Sequence, residues 1–341
     1  MKPRIEEYFD QHSAHVLARA CEQYGINPAG CKRLGSFENF VFECEQSSQS
    51  RILRLTDSEH RRPDMIRGEL EWIRHLADGG VSVSGGVESN NGKLVEVIPV
   101  EADSDVSDEE LFFSAVMFDK APGDHAGPSD WNETLFEQWG EMTGRMHRLA
   151  KSFQPSRSEY KRKHWIEDED LKIDEILPSG HELVVEKFDT VTRKLNALPA
   201  DRDSFGLIHV DFHQGNFFVH EGKITLFDFD DCHYDYFAND IAIPLFYAAR
   251  SAMSGSDPVE FARIFLSAFA RGYRKENDLP VHGFDHLHDF MKLREILLYA
   301  IILSEEADKE SEWCRKFLAA RRERIESEQP VIDIDFARFA R

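Results

Sequence analysis

The stretch that most constrains this chain runs from Leu207 to Asp231: LIHVDFHQGNFFVHEGKITLFDFDD. Two short runs within it, Phe217–His220 and Lys223–Phe227, are rich in β-branched and aromatic residues and read as strands. Glu221-Gly222 between them reads as a two-residue hairpin turn, with the glycine taking the positive φ. Folding the chain about that turn sets His220 against Lys223 and, counting outward, Asn216 against Phe227. Asn216 is therefore expected within a residue of Asp228, at the open end of the hairpin. The loop from His209 to Gly215 leads into the same end. Asp211, Asn216 and Asp228 are expected to converge, although 17 positions separate the first from the last.

An Asp, an amide five residues later and a second Asp across a hairpin suit phosphoryl transfer with a divalent metal. Mg²⁺ takes hard oxygen ligands and keeps several waters, so one or two protein oxygens plus substrate phosphates suffice. Asn216 and Asp228 can supply those oxygens. Asp211, held off the metal, can accept the proton of an attacking hydroxyl. Between Ile224 and Ala249 there is no Lys or Arg, while Asp228, Asp230, Asp231, Asp235 and Asp240 all occur there.

The chain has 341 residues, 41% hydrophobic and 30% charged, enough for a sizeable core and for two domains. No stretch has the apolar length of a membrane span, and the first 26 residues lack the apolar core of a signal peptide. Val16, Leu17, Ala20 and Cys21 suit one face of a first helix. The net charge of −22 argues against nucleic acid and anionic membranes as main partners. The five cysteines are scattered and form no CxxC, so neither a disulfide framework nor a zinc site is expected, and a reducing cytoplasm is the simplest home. Cys232 reads as a small packing residue.

Organisation shifts along the chain. Cys31–Gln46 reads as two strands around a loop at Gly35-Ser36, Arg51–Asp57 as a strand, and Pro63–Gly80 as a helix with Pro near its start and Gly after its end. Residues 81–99 read as a hairpin turning at Asn90-Asn91-Gly92, and Leu111–Phe118 as a further strand. The acidic run Val100–Glu110 reads as a solvated loop. From Trp131 the pattern is helical: Asn132–Phe153, Glu182–Ala197, Ile241–Met253, Pro258–Lys275, Phe284–Glu306 and Ser311–Glu328, with the opening hairpin as the strands of this half. This is an α+β, bilobal plan: a β-rich lobe with one main helix over 1–118, then a mostly helical lobe over 119–341 with an embedded hairpin.

His209-x-Asp211-x-x-x-x-Asn216, followed by Asp228 at a strand end, resembles the catalytic loop and metal-binding segment of the protein-kinase-like fold. More narrowly, HVDFHQGNFFV, ITLFDFDD and NDIA resemble the aminoglycoside phosphotransferase and choline kinase superfamily, nearest to its type II homoserine kinase and bacterial stress-response kinase branch. The resemblance covers Leu34 to Leu303 and is most specific at the hairpin. It implies an ATP- and Mg²⁺-dependent transfer to a hydroxyl of a small molecule. Asp211 matches the catalytic base, His209 the histidine supporting the loop, and Asn216 and Asp228 the metal ligands. Asp240 matches an Asp that buttresses the loop from the next helix. Gly35-Ser36-Phe37 stands in place of the phosphate-covering loop, Glu69 in place of the helix Glu that pairs with a strand cation, and Phe118–Lys120 in place of the adenine-holding hinge. Two positions depart from the pattern: Arg54 stands where the strand Lys is usual, and the covering loop has one glycine.

Three functional classes follow. The first is a cytoplasmic kinase whose wall of Asp230, Asp231 and Asp235, with His213 nearby, attracts an amine-bearing alcohol. The second is a nucleotide-binding pseudokinase or regulatory module, suggested by Arg54 and the glycine-poor loop, with a protein Ser/Thr kinase as a further alternative. The third is a metal-dependent hydrolase, with His209, Asp211 and His213 as an H-x-D-x-H cluster.

Overall fold

A computed structural model describes residues 4–35, 38–47, 49–100, 111–168, 171–251, 257–304 and 312–339. The chain forms two compact units. The first comprises Met1–Pro122, Gln154–Arg162 and Thr225–Asp230; the second comprises Gly123–Phe153, Lys163–Ile224 and Asp231–Arg341.

The first unit is a sheet with helices. After α1 (Arg4–Gln23) come β1 (Cys31–Gly35), β2 (Phe40–Gln46) and β3 (Gln49–Asp57), then α2 (Pro63–Asp78), β4 (Gly86–Val87), β5 (Glu96–Pro99) and β6 (Phe112–Asp119). The sheet order is β1-β2-β3-β6-β4, with β5 also on β6, and every pairing is antiparallel. The expected hairpin over residues 81–99 is not one: β4 and β5 each pair with β6 instead of with each other. The longer, largely buried β6 offers both a better partner. Phe9 of α1 stacks on Phe40 at 3.6 Å between centroids, and Val16, Ala20 and Cys21 are buried in the same core. Cys31 and Cys44 face each other across β1 and β2 and are disulfide-bonded. This corrects the expectation of no disulfide: strand pairing brings together two cysteines that sequence spacing leaves 13 apart.

α2 follows the sequence closely, with Pro63 in its first turn. Its buried face carries Ile66, Leu70, Ile73 and Leu76, and also Glu69.

In the second unit, α3 (Glu133–Ala150) is capped by Asn132, whose side chain accepts from the amides of Thr134 and Leu135. After α4 (Ile173–Ile176) and α5 (Glu182–Asn196) come four short strands, β7 (Phe205–Ile208), β8 (Phe217–His220), β9 (Lys223–Leu226) and β10 (His233–Tyr236). Then follow α6 (Asn239–Ser251), α7 (Pro258–Tyr273), α8 (Val281–Phe284), α9 (Leu287–Leu303), α10 (Glu312–Leu318) and α11 (Arg321–Glu326). α3 packs on α7 through small residues: a Cβ on Gly140 would strike the carbonyl of Phe269, and one on Gly272 the carbonyl of Glu137. The β8–β9 hairpin forms as expected, but Glu221 and Gly222 both take positive φ, 49° and 73°.

Two expectations fail here. The hairpin is not the whole of the strand content, because β7 and β10 pair antiparallel, Phe205 with Tyr236 through Ile208 with His233. The last helix is broken into α10 and α11 by Ala320, which adopts a left-handed φ of 57°.

Candidate active site

The loop from His209 to Asn216 joins β7 to β8 in the second unit. Its backbone is held from α6. Asp240 accepts hydrogen bonds from the amides of His209 (3.1 Å) and Val210 (2.7 Å), and a third contact comes from His147 of α3 at 3.3 Å. Val210 has φ of 73°, a strained conformation for a β-branched residue, and it sits between His209 and Asp211. The buttressing role that the resemblance assigns to Asp240 thus has a direct geometry. Burial opposes the Asp240 charge, but His147 and His209 outweigh it and hold its carboxyl below the usual range.

His209 is fully buried, and its Nδ1 accepts the Asp211 amide at 3.2 Å. Its place is in shaping the loop. Asp211 itself gathers three side chains. Asn216 Nδ2 donates to its Oδ2 at 2.8 Å and to its carbonyl at 2.9 Å. His213 Nδ1 accepts the Gly215 amide, so Nε2 carries the ring proton that faces Asp211 Oδ2 at 3.3 Å. Arg294 of α9 donates from Nη2 to Asp211 Oδ1 at 2.6 Å. Burial would raise the Asp211 carboxyl, but Arg294, then His213 and His209, outweigh it and hold it well below the usual carboxylate range. The amide nitrogen of Asn216 is spent on Asp211, which leaves Oδ1 as the atom it could offer a metal.

In the first unit, Arg54 of β3 meets Glu69 of α2 through two parallel hydrogen bonds of 2.8 and 2.6 Å. Both are buried. Asp230 lies beside them, with Arg54 Nη1 at 3.6 Å, His60 Nε2 at 3.0 Å, Arg61 Nε at 3.4 Å and Asn39 Nδ2 at 3.2 Å. Arg162 donates to the Asp230 carbonyl. Burial opposes this charge too, and Arg61, Arg54 and His60 hold the Asp230 carboxyl well below its ordinary value. Asp228, two residues earlier, is exposed and has a left-handed φ of 65°. Phe118 lies under the Arg54 guanidinium, 5.1 Å from its ring centre, and Lys120 pairs with Glu43 at 2.5 Å. Gly35 ends β1 in open space, and Ser36 and Phe37 lie outside the described residues.

The expected acidic wall is therefore corrected. Asp230 is the buried anion of an arginine and histidine cluster. Asp235 is buried, with its oxygens on the Tyr236 amide and the Asn239 side chain, both at 2.6 Å. Asp231 remains half-buried on the wall of a cavity in the second unit, which Asp168, Asp235, His233, Trp165 and Arg294 also line. His233 stands between Asp168 and Asp235, 3.7 and 3.6 Å away. The H-x-D-x-H reading gains no geometry. Among the described residues the carboxylate and histidine group able to converge on a metal is Glu38, His60 and Asp230; Cys21 lies near Cys31 and Cys44, but those two are joined in a disulfide, and His209 Nδ1 is already an acceptor for backbone.

Sequence reasoning missed Arg294, Tyr247, His60, Arg61 and Asp168. Arg294 shares its helix with Asp289, Lys292 and Glu295, so its charge does not stand out along α9 and no local signal marks it.

A model of the phosphotransferase enzyme family matches residues 30–279, and the chain belongs to that family. Kinases are among its relatives. An amicoumacin kinase of Bacillus subtilis (strain 168) is 38% identical over 332 residues, 96% of either chain. An amicoumacin kinase solved in complex with AMP-PNP, Ca²⁺ and Ami superposes with a TM-score of 0.91 at 36% identity, over 99% of both chains. A microcompartment-associated aminopropanol kinase shares the fold, with a TM-score of 0.70 at 23% identity over 91% of this chain and 96% of that one. The protein-kinase-like fold, ATP-dependent phosphotransfer to a small molecule and divalent-metal use follow for this chain.

Proposed function

We propose that this kinase phosphorylates the hydroxyl of an amine-bearing alcohol, with Asp211 as the base. The observation that carries this reading is the environment of Asp211: a carboxylate kept charged by Arg294 and His213, and steered by Asn216. The acceptor oxygen would bond to the γ-phosphorus as the bond from that phosphorus to ADP breaks, and the hydroxyl proton would pass to Asp211. The first unit, including the segment up to residue 118, would hold the nucleotide, with Gly35, Ser36, Phe118 and Lys120 about it. The second would hold the acceptor. Arg54 would steady the phosphates through the Glu69 pair.

The donor set fits Mg²⁺, since Asn216 Oδ1 and the exposed Asp228 carboxylate are hard oxygens. Mg²⁺, when bound, would neutralise phosphate charge. No helix among the described residues is long and apolar enough to cross a membrane, and a cytoplasmic site of action agrees with ATP use.

An amine at the acceptor would suit the cavity bearing Asp168 and Asp231. Amicoumacin and aminopropanol, the compounds named for the relatives, are the first acceptors to test. Steady-state ADP release should require both acceptor and divalent metal. ADP release independent of any alcohol would overturn the reading.

A further inference from the structure

Building on that acceptor assignment, we propose that Arg294 determines acceptor specificity, its Nη1 binding an oxygen on the carbon next to the hydroxyl to be phosphorylated. Two of the three guanidinium nitrogens are committed. Nη2 donates to Asp211 Oδ1 at 2.6 Å and to the Tyr247 hydroxyl at 2.7 Å, and Nε donates to the same hydroxyl at 3.2 Å. Nη1 has no hydrogen-bond partner among the described residues, and Arg294 lines the cavity. The side chain is fixed by these bonds and by the Tyr247 ring, 5.4 Å from its centre.

Helix geometry supports the placement. Arg294, Leu297 and Ile301 fall at i, i+3 and i+7 of α9, one face of a helix, and all three line the cavity. Balancing the charge of Asp211 needs one nitrogen of the guanidinium. The remaining nitrogen belongs to the same rigid plane, beside the atom that holds the base. An alcohol whose hydroxyl meets Asp211 would bring an oxygen on its neighbouring carbon to Nη1. The acids Asp168 and Asp231 line the same cavity. The ligand class is an amine-bearing alcohol with a carbonyl or carboxylate next to the reactive hydroxyl. A plain amino alcohol would leave Nη1 without that partner and forgo the hydrogen bond.

The test compares 1-amino-2-propanol with isoserinamide, in which a carboxamide replaces the methyl group beside the same hydroxyl. Dissociation constants are measured by calorimetry on the full chain with Mg²⁺ and AMP-PNP, for the wild type, Arg294→Lys and Arg294→Gln. The wild type should favour isoserinamide by about tenfold, as for one charge-assisted hydrogen bond. Arg294→Gln should abolish that preference by weakening isoserinamide, and Arg294→Lys should keep part of it. Should Arg294→Gln not fold, the partial preference of Arg294→Lys decides. Equal affinity of the wild type for both compounds, or an equal loss for both in the variants, would overturn the proposal and leave Arg294 as a support for Asp211. Binding of neither compound to the wild type would overturn the amine-alcohol assignment and this proposal with it.

Discussion

Arg54 and Glu69 meet fork to fork in the first unit, with Asp230 completing a buried cluster of charge. Arg54→Ala would leave two buried carboxylates short of a partner. Losing one member of such a cluster costs about 3–5 kcal/mol. Urea unfolding of Arg54→Ala should show that loss, whereas Arg54→Lys, which restores one charge without the fork, should recover part of it. An unchanged unfolding midpoint in Arg54→Ala would show that the cluster contributes nothing to stability.

Asp211→Asn removes the proton acceptor and keeps the shape. Turnover should fall by roughly 10²–10⁴, the range for a positioned base. Mg-ATP affinity should hardly change, because Asp211 is not proposed as a ligand. Rapid-quench measurement of the first turnover separates this effect from product release. A variant with a full-rate first turnover would remove Asp211 from the chemistry.

Asp230 and Asp240 both have carboxyl pKa values depressed in the folded chain. The unfolded chain therefore binds protons first as pH falls. The stabilisation from these groups is complete above the unfolded carboxylate value of about 3.9 and is lost as pH drops through their lower folded values. The urea midpoint should change little on their account between neutral pH and about pH 5, then fall steeply below about pH 4. Asp230→Asn should lower the plateau and flatten the acid limb. An acid limb as steep as the wild type would assign the slope to other groups.

Much of the hairpin was legible because strand alternation, a Glu-Gly turn and the Asp-Asn spacing all point the same way. The Arg54–Glu69 pair came from the family resemblance, which sets Glu69 in place of the helix Glu that pairs with a strand cation. Asp230 was misread because it stands among aspartates in a segment with no Lys or Arg, while the cations that bury it, Arg54, His60 and Arg61, lie far away in sequence. β7 and β10 escaped notice because each is four residues long and their pairing spans Phe205 to Tyr236. Arg294 lies 83 positions from Asp211, a separation that no local pattern reports.

The Cys31–Cys44 cross-link closes a loop over a sequence separation of 13. A loop near that length is worth about 3 kcal/mol by chain entropy. Reductant should lower the thermal midpoint of the wild type and leave a Cys31→Ala, Cys44→Ala double variant unmoved. Cys21 should stay unlabelled by iodoacetamide in the native chain, because burial pushes its thiol up to about 11. Equal midpoints with and without reductant would show that the bond adds no stability.

The cavity acids offer the most direct probe of the acceptor. Asp168 and Asp231 both line it, and both are carboxylates beside the wall that carries Arg294. If they draw an ammonium group, Asp168→Asn and Asp231→Asn should each raise the KM of a cationic acceptor several-fold, and kcat should move less, since neither is proposed to touch the transferred group. An attraction between partly exposed charges is screened by salt, with a range of about 8 Å at physiological ionic strength. The wild-type KM for a cationic alcohol should therefore rise with added salt, and the two variants should show a shallower dependence. Neutral alcohols should be nearly insensitive to both changes. If the variants alter neutral and cationic acceptors by the same factor, the acids shape the cavity and do not read charge.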